Sequence, residues 1–369
     1  MKNVLISGAG VAGASLAHWL HRDGVTVTVV EAAPGPRPGG QAVDVRGVAL
    51  DVVGRMGLLE RVRAVRTRMR GMSVLDGDGR EVHRSTETTF SSGRLANDDI
   101  ELLREDLVRL LHEHAGPGVE FVFGDRIATL DQREDGVRIS FEHGRPRTFD
   151  LVVGADGLHS AVRRLAFGPE ERFTRHLGTH LAVFSADNFL ALEDWQLWLR
   201  DGEAGYGVYP VRDNTELRVA FGFAAGPSAF DQRDTDLQRQ LVAERMEQLS
   251  WETPRLVKAL REAPDFYYDA MTQVVMERWS NGRVVLLGDA GYCASPLSGQ
   301  GTSLALVGAH VLADALRRAG ADHRTGFADY ERRMRPFVEL NQALATENPG
   351  GSASEASVER AKNGIALDG

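Results

Sequence analysis

The first 31 residues constrain the fold more than any other part of the chain. Val4-Leu5-Ile6-Ser7 reads as an apolar strand that runs into Gly8-Ala9-Gly10-Val11-Ala12-Gly13. A helix of the sequence ASLAHWLHRDG follows, then a second strand, VTVTVVE, ending at Glu31. GxGxxG spacing between a strand and a helix marks a βαβ unit, which commits this end of the chain to a parallel α/β sheet. Gly8 permits the tight turn, Gly10 lets the backbone approach a pyrophosphate, and Gly13 permits close helix–strand packing. Glu31 stands where it can accept hydrogen bonds from adenosine ribose hydroxyls, and its charge disfavours a 2′-phosphate. Val11 and Ala12 within the loop, and Ala32 after Glu31, complete this candidate nucleotide site. Coincidental glycines at a turn are the bland alternative, and the whole strand–loop–helix–strand order weighs against it.

A later stretch, Gly282 to Ala309, suggests which nucleotide binds. Val284 to Leu287 form a short apolar strand, Gly288-Asp289 break it, Pro296 to Gly301 form a turn, and an Ala/Leu helix follows. Asp289 at the strand end can receive hydrogen bonds from the ribitol of a flavin. The turn containing Pro296, Gly299, Gln300 and Gly301, with Thr302 behind it, can set backbone N–H groups beside the pyrimidine edge of an isoalloxazine. The helix dipole there favours negative charge on a reduced ring. An N-cap aspartate and an ordinary helix start would look the same locally. Cys293 has no His partner in sequence and reads as packing.

Asp156 and Gly157 follow another apolar strand and lead into LHSAVRR, where Ser160 can cap the next helix and Arg163 offers a planar fork suited to phosphate. Arg104 in ELLREDL and Arg46 near another helix start are further candidates for the nucleotide, against solvated or i, i+4 paired alternatives.

The chain has 369 residues, enough for two cores, and 43% hydrophobic with 26% charged residues is ordinary for a globular protein. A net charge of -9 argues against generic nucleic-acid or anionic-membrane binding. No apolar run approaches the ~20 residues of a membrane span. The first strand starts too early to leave room for a secretory signal. One cysteine excludes an internal disulfide and a CxxC pair. These features predict a cytoplasmic monomer or homodimer acting on a small molecule. Residues 1–174 read mostly as the first part of the nucleotide domain, with room for some strands of the substrate domain among them, and a hairpin turns at Asp76 to Gly79. Residues 175–275 read as a mostly antiparallel sheet domain with one polar helix, Asp236 to Leu249. Residues 276–348 return to the nucleotide domain with helices at 305–319 and 327–344, and 349–369, from Pro349, reads as a flexible tail.

Together these segments resemble the FAD-dependent aromatic hydroxylases of the p-hydroxybenzoate hydroxylase superfamily, the single-component class A flavoprotein monooxygenases. GAGVAG with Glu31 is similar to the family's FAD fingerprint. GADGLHSAVRR carries its DGxxSxxR motif through Asp156, Gly157, Ser160 and Arg163. GDAGYCASPLSGQG carries its GDA…P…GQG motif through Gly288, Asp289, Pro296, Gly299, Gln300 and Gly301, and Arg104 falls at the family's FAD-contacting arginine. Many relatives have Ala-His where this chain has Gly291-Tyr292, Asn at Ser303, and an acidic residue near Gly308. These departures point toward a subgroup similar to bacterial polyketide or tetracycline-type hydroxylases.

The resemblance implies an α/β fold, a Rossmann-like FAD-binding domain with an inserted, mostly antiparallel substrate sheet. It implies FAD as cofactor, NADPH or NADH as transient reductant, and oxygen transfer from a C4a-hydroperoxyflavin to an electron-rich aromatic or polyketide-like molecule. No catalytic base is assignable from sequence. Baeyer–Villiger or epoxidising chemistry and a reductase or desaturase of the same fold are the alternatives. The halogenase WxWxIP segment is absent. Gln196, Trp198, Tyr209, Arg212, Phe221, Tyr268 and Pro296 are the candidate substrate contacts. Strand alternation requires Gln196 and Trp195 to face opposite sides.

Overall fold

A computed structural model of the chain describes residues 2–227, 234–348 and 351–368. One six-stranded sheet runs Ser280–Asn281, Val284–Leu286, Leu151–Gly154, Asn3–Ser7, Thr26–Glu31, Glu120–Phe123, parallel except at its first pair. Its strands read as unbroken apolar runs because both faces are covered. Val4, Val27, Val152, Val153, Val284 and Val285 have no exposed surface. Helices Val11–Arg22 and Gly301–Ala319 pack against one another. This brings the two glycine motifs together, and a Cβ built on Gly288 would stand 3.1 Å from the Ala12 methyl.

A seven-stranded sheet forms the second layer, in the order Phe266–Val274, Thr174–Asp187, Glu216–Ala224, Ala204–Val211, Trp195–Asp201, Gly71–Leu75, Glu81–Ser85. Only the Trp195–Asp201 and Gly71–Leu75 pair is parallel. The hairpin at 71–85 thus belongs to this sheet, although its position in the chain suggested the nucleotide half. Its partner strand lies more than a hundred residues away, and local pattern carries no information about such pairing. Helices Thr235–Met246 and Thr253–Glu262 cover one face of the sheet; the second of these was not anticipated. The opposite face looks toward the nucleotide layer. A ribbon of Ala42–Val45 with Ile100–Leu103 and a short hairpin of Thr88–Thr89 with Gly93–Arg94 lie between the layers and the C-terminal segment.

The expected flexible tail needs correction. Pro349 and Gly350 lie outside the described residues, but Glu355–Lys362 is a helix capped by Ser354 and docked on the protein. Lys362 pairs with Asp99 at 2.9 Å with both side chains buried, and Arg55 reaches Asp368 at 2.7 Å. The small polar residues around 351–354 suggested fraying; apolar anchors such as Ala361 and Leu367 are too sparse to register as a helical pattern. No helix among the described residues is long and apolar enough to cross a membrane.

Candidate active site

The N-terminal loop is built on contact. Gly8 has φ +105, a conformation open to glycine, and its amide donates to Val30 O at 2.8 Å. A Cβ on Gly13 would overlap the Gly8 carbonyl oxygen, whereas one on Gly10 would meet nothing within 4 Å. Gly10 precedes the first turn of Val11–Arg22, which has no side-chain cap. Free helix N–H groups beside an unobstructed backbone form a surface suited to a pyrophosphate. Glu31 ends its strand with its carboxylate accepting from the amides of Ala9 and Ala33, each at 2.9 Å. Each oxygen retains acceptor capacity for a ribose hydroxyl. Arg104 holds the adjoining loop by donating through Nη2 to the carbonyls of Arg37 and Gly39, at 3.2 and 3.3 Å, and its Nε lies against Gly40.

At the other end, Gly288 introduces the short helix Asp289–Tyr292. The Asp289 side chain is reachable from the cleft but hemmed in by protein, and burial raises its pKa. Ser295 adopts φ +71, rare for a residue with a side chain, directly before the Pro296–Ser298 turn. Gly299 is exposed in a left-handed conformation, and the Gly301–Ala319 helix starts two residues on without a side-chain cap. Gln300 is fully buried, and neither atom of its amide has a hydrogen-bond partner. Arg46 is buried too; it donates to Asp44 at 2.8 Å and to Ser91 O at 3.3 Å, while its Nε has no partner. Its guanidinium faces the Gly299 turn, 3.7 Å from where a Cβ there would be. Burial outweighs the attraction of Arg46 and raises the Asp44 carboxyl to about 8. Buried polar atoms without partners are costly unless another group satisfies them. A polar ring edge at the Gly299–Gly301 turn fits that requirement.

Three residues of the DG motif turn inward instead. Asp156 accepts from Ser160 Oγ at 2.5 Å and Val162 N at 3.1 Å, and Ser160 caps Ala161–Phe167 as expected. Arg163, anticipated as a phosphate fork, has no exposed surface. It donates to Ala290 O at 2.9 Å, Leu158 O at 2.6 Å and the Glu170 carboxylate at 2.9 Å. Its planar donor set joins three segments of the protein, with the Glu170 carboxylate as its anionic partner in place of a phosphate. Gly157 lies in the same loop at φ +78 with open space around it. Cys293 is buried with its thiol pushed up by burial, in keeping with packing.

The departures at positions 292 and 308 fit one another, and that at 303 has a partner of its own. The buried Tyr292 hydroxyl accepts from Tyr330 at 2.8 Å and lies over Gly308, where any Cβ would collide with it. Ser303 Oγ accepts from Arg46 N at 3.1 Å.

The facing sheet divides the substrate candidates. Register and alternation place Gln196, Trp198, Gly205, Gly207, Ala220 and Gly222 on the face toward the nucleotide layer. Phe221 and Tyr268 fall on the opposite face, packed among residues under the two helices, and the Tyr268 hydroxyl meets His180 at 2.7 Å. Both are corrected to core positions, because a one-residue step along a strand reverses the side. Tyr209 faces the right way, but its buried hydroxyl accepts from Ala42 N at 3.0 Å and joins the layers. Arg212 pairs with Asp106 at 2.8 Å and with Glu105, outside the cleft. Gln196 is fully buried; it donates to Ser91 Oγ at 2.6 Å and accepts from Trp198 Nε1 at 2.9 Å. Sequence reasoning missed Ser91, since nothing in its neighbours distinguishes it from loop.

His159 was also missed. Its Nδ1 lies 2.8 Å from Glu170 and its Nε2 3.0 Å from Asp269, so it links the DG loop to the sheet. Desolvation alone would lower its pKa, but hydrogen bonds and charge from Asp269 and Glu170 prevail and raise it to about 9. A folded value above the usual 6.5 stabilises the fold fully below pH 6.5, and that contribution fades as pH rises through about 9. The melting-temperature gap between the wild type and His159→Gln is therefore expected to be widest near pH 6 and to close above about 9. A gap independent of pH would contradict the charged link.

A glycine loop for pyrophosphate, an acidic strand end for ribose, a second acidic strand end beside a glycine turn, and an opposed sheet define an FAD-dependent monooxygenase of the p-hydroxybenzoate hydroxylase type. The family described as FAD binding domain matches residues 1–344, and the chain belongs to that family. An uncharacterized protein of Mycobacterium tuberculosis is 53% identical over 95% of each chain. A flavin-dependent monooxygenase of Legionella longbeachae is 38% identical, covering 92% of this chain and 86% of its own. The crystal structure of tetracycline destructase Tet(51) superposes with a TM-score of 0.91 at 32% identity, over 100% of both chains.

Proposed function

We propose that this enzyme hydroxylates a planar polycyclic phenol or enol of the tetracycline type, with NADH or NADPH as reductant and O₂ as oxidant. One observation carries the substrate class. The two central strands facing the cleft carry Gly205, Gly207, Ala220 and Gly222, and a Cβ on Gly222 would meet only His180 O, at 3.8 Å. Gly205, Ala220 and Gly222 thus form a flat patch of floor across the two neighbouring strands, bounded by the Trp198 ring over Gly207 and by Tyr209 and Arg218 further along the same face. A flat molecule of several rings fits such a floor, and the likeness to Tet(51) supports the same class.

FAD, held by Gly8 to Gly13, Glu31, Arg104, Asp289 and the Gly299–Gly301 turn, supplies the electron transfer and oxygen activation. The chain's own residues supply the rest. Trp198, held in place by the buried Gln196 amide, orients the substrate on the floor, and the second layer excludes water from the cleft. Arg46 and the N–H groups of the Gly301–Ala319 helix favour negative charge at the turn. The Asp44 carboxyl, at about 8, can hold or release a proton beside Arg46 near neutral pH.

The test is oxygen uptake by FAD-loaded protein with NADPH and NADH in turn, with tetracycline, an anthraquinone phenol or a single-ring phenol as substrate. A polycycle is expected to stimulate both NAD(P)H oxidation and O₂ consumption and to yield a product heavier by one oxygen atom. NMR of the product then separates hydroxylation from ring insertion or epoxidation. Peroxide formation without product from any polycycle would sink the proposed substrate class.

A further inference from the structure

We propose that Phe90 is a specificity-determining residue of this monooxygenase, forming with Trp198 an aromatic corner that holds the edge of a fused-ring substrate on the sheet floor. The inference rests on the cleft reading given above. Phe90 is 52% exposed, the one aromatic among the large exposed hydrophobic side chains of the described residues. Its ring meets Trp198 at 5.3 Å between centroids and 73° between planes. Trp198 in turn lies against Gly207, where a Cβ would come 2.5 Å from its ring. The indole therefore covers the Gly207 end of the floor and borders the open part at Gly205, Ala220 and Gly222, with the phenyl ring standing across it as a wall. An edge-to-face pair open on one side offers a third aromatic both a ring face and a ring edge.

The corner is built rather than loose. Phe90 stands at the tip of the Thr88–Thr89 and Gly93–Arg94 hairpin, whose turn is fixed by Thr89 Oγ1 and Ser92 Oγ at 2.7 Å, with Thr89 buried beneath. The next residue, Ser91, accepts from Gln196 Nε2 through Oγ and from Arg46 Nη2 through its carbonyl. Gln196 accepts from Trp198 Nε1 at the same time. A single amide thus sets the indole and the hairpin tip relative to each other, making Ser91 and Gln196 positioning residues for the corner. The same tip is tied through the Ser91 carbonyl to Arg46, which lies beside the Gly299 turn.

Steady-state kinetics of FAD-loaded wild type, Phe90→Ala and Phe90→Trp with tetracycline and with catechol test this, alongside equilibrium binding of tetracycline measured by protein fluorescence. Loss of one aromatic contact is expected to raise KM and Kd for tetracycline about tenfold, with kcat within about twofold. Phe90→Trp should restore affinity, and catechol, too small to span floor and wall, should respond little to either change. Melting temperatures should match, because an exposed side chain contributes little to folding. If wild type turns tetracycline over and Phe90→Ala leaves its KM and Kd unchanged, the corner is overturned while the substrate class stands. If wild type neither binds nor oxidises tetracycline or the anthraquinone phenol, the substrate class fails and the corner with it.

Discussion

Gly13→Ala is expected to yield a protein that melts far below the wild type and carries little FAD. The added methyl would overlap the carbonyl oxygen of Gly8 and approach Ile6 as well. The first clash is with a backbone oxygen and the methyl has no rotamer of its own, so no rotamer change relieves it. Gly8 itself is pinned from behind, since a Cβ there would strike Ala155 O and Asp156 Cα. The Val11–Arg22 helix must therefore move off the sheet, giving up contacts made by Ala14, Ala17 and Trp19 in the core. Overpacking of this kind costs about 3 kcal/mol or more when nothing can shift. Gly10→Ala is the control that gives the result its meaning. Gly10 has φ -74 and no atom within 4 Å of its added methyl, so the apoprotein should melt like wild type. FAD affinity should nevertheless fall by at least about tenfold, because the methyl occupies the approach of the pyrophosphate. Thermal melts of the apoproteins and titration with FAD separate the two effects. Equal loss of melting temperature in both variants would contradict these separate roles.

Arg163→Met is expected to lower the apoprotein melting temperature strongly while leaving the intrinsic affinity of the folded protein for FAD nearly unchanged. The guanidinium is wholly buried and joins Ala290 of the flavin-end helix, Leu158 of the DG loop and Glu170. Removing it leaves two carbonyls without donors and a carboxylate balanced only by His159. Breaking a buried pair from one side costs about 3–5 kcal/mol; because Glu170 is partly exposed, the lower end applies here. Lysine should not rescue, because one ammonium cannot span three acceptors arranged for a planar fork. A phosphate ligand would give the reverse pattern, with weaker FAD binding and an unchanged apoprotein melt. Denaturation of the apoprotein together with FAD titration under folded conditions decides between them.

The motifs were legible because each is local. Strand, loop and helix at residues 3–31 follow one another in the chain, and their apolar runs and glycine spacing carry both fold and site. Ser160 as a helix cap and the turn after Pro296 were readable for the same reason. Arg163 shows where such reading stops. Its spacing within DGxxSxxR could place it beside a phosphate, but which way a long side chain turns depends on Ala290, more than a hundred residues away. Phe221 and Tyr268 failed for another reason. Propensity marks a strand without revealing which of its two faces looks at the cofactor, and that choice is made by pairing register. Ser91 and His159 gave no signal at all, because a loop serine and a lone histidine acquire roles only from what packs against them.

By itself, then, the sequence determined a parallel nucleotide-binding sheet, an FAD-type cofactor and a second, largely antiparallel sheet. Apolar periodicity and glycine spacing act within a few residues and survive without tertiary context. Only the tertiary structure decided that residues 71–85 complete the second sheet, that the C-terminal segment docks as a helix, and that Phe90, Ser91, Gln196 and Trp198 meet. Those contacts join segments far apart in the chain, and their energy lies in burial and hydrogen-bond geometry that no local pattern encodes.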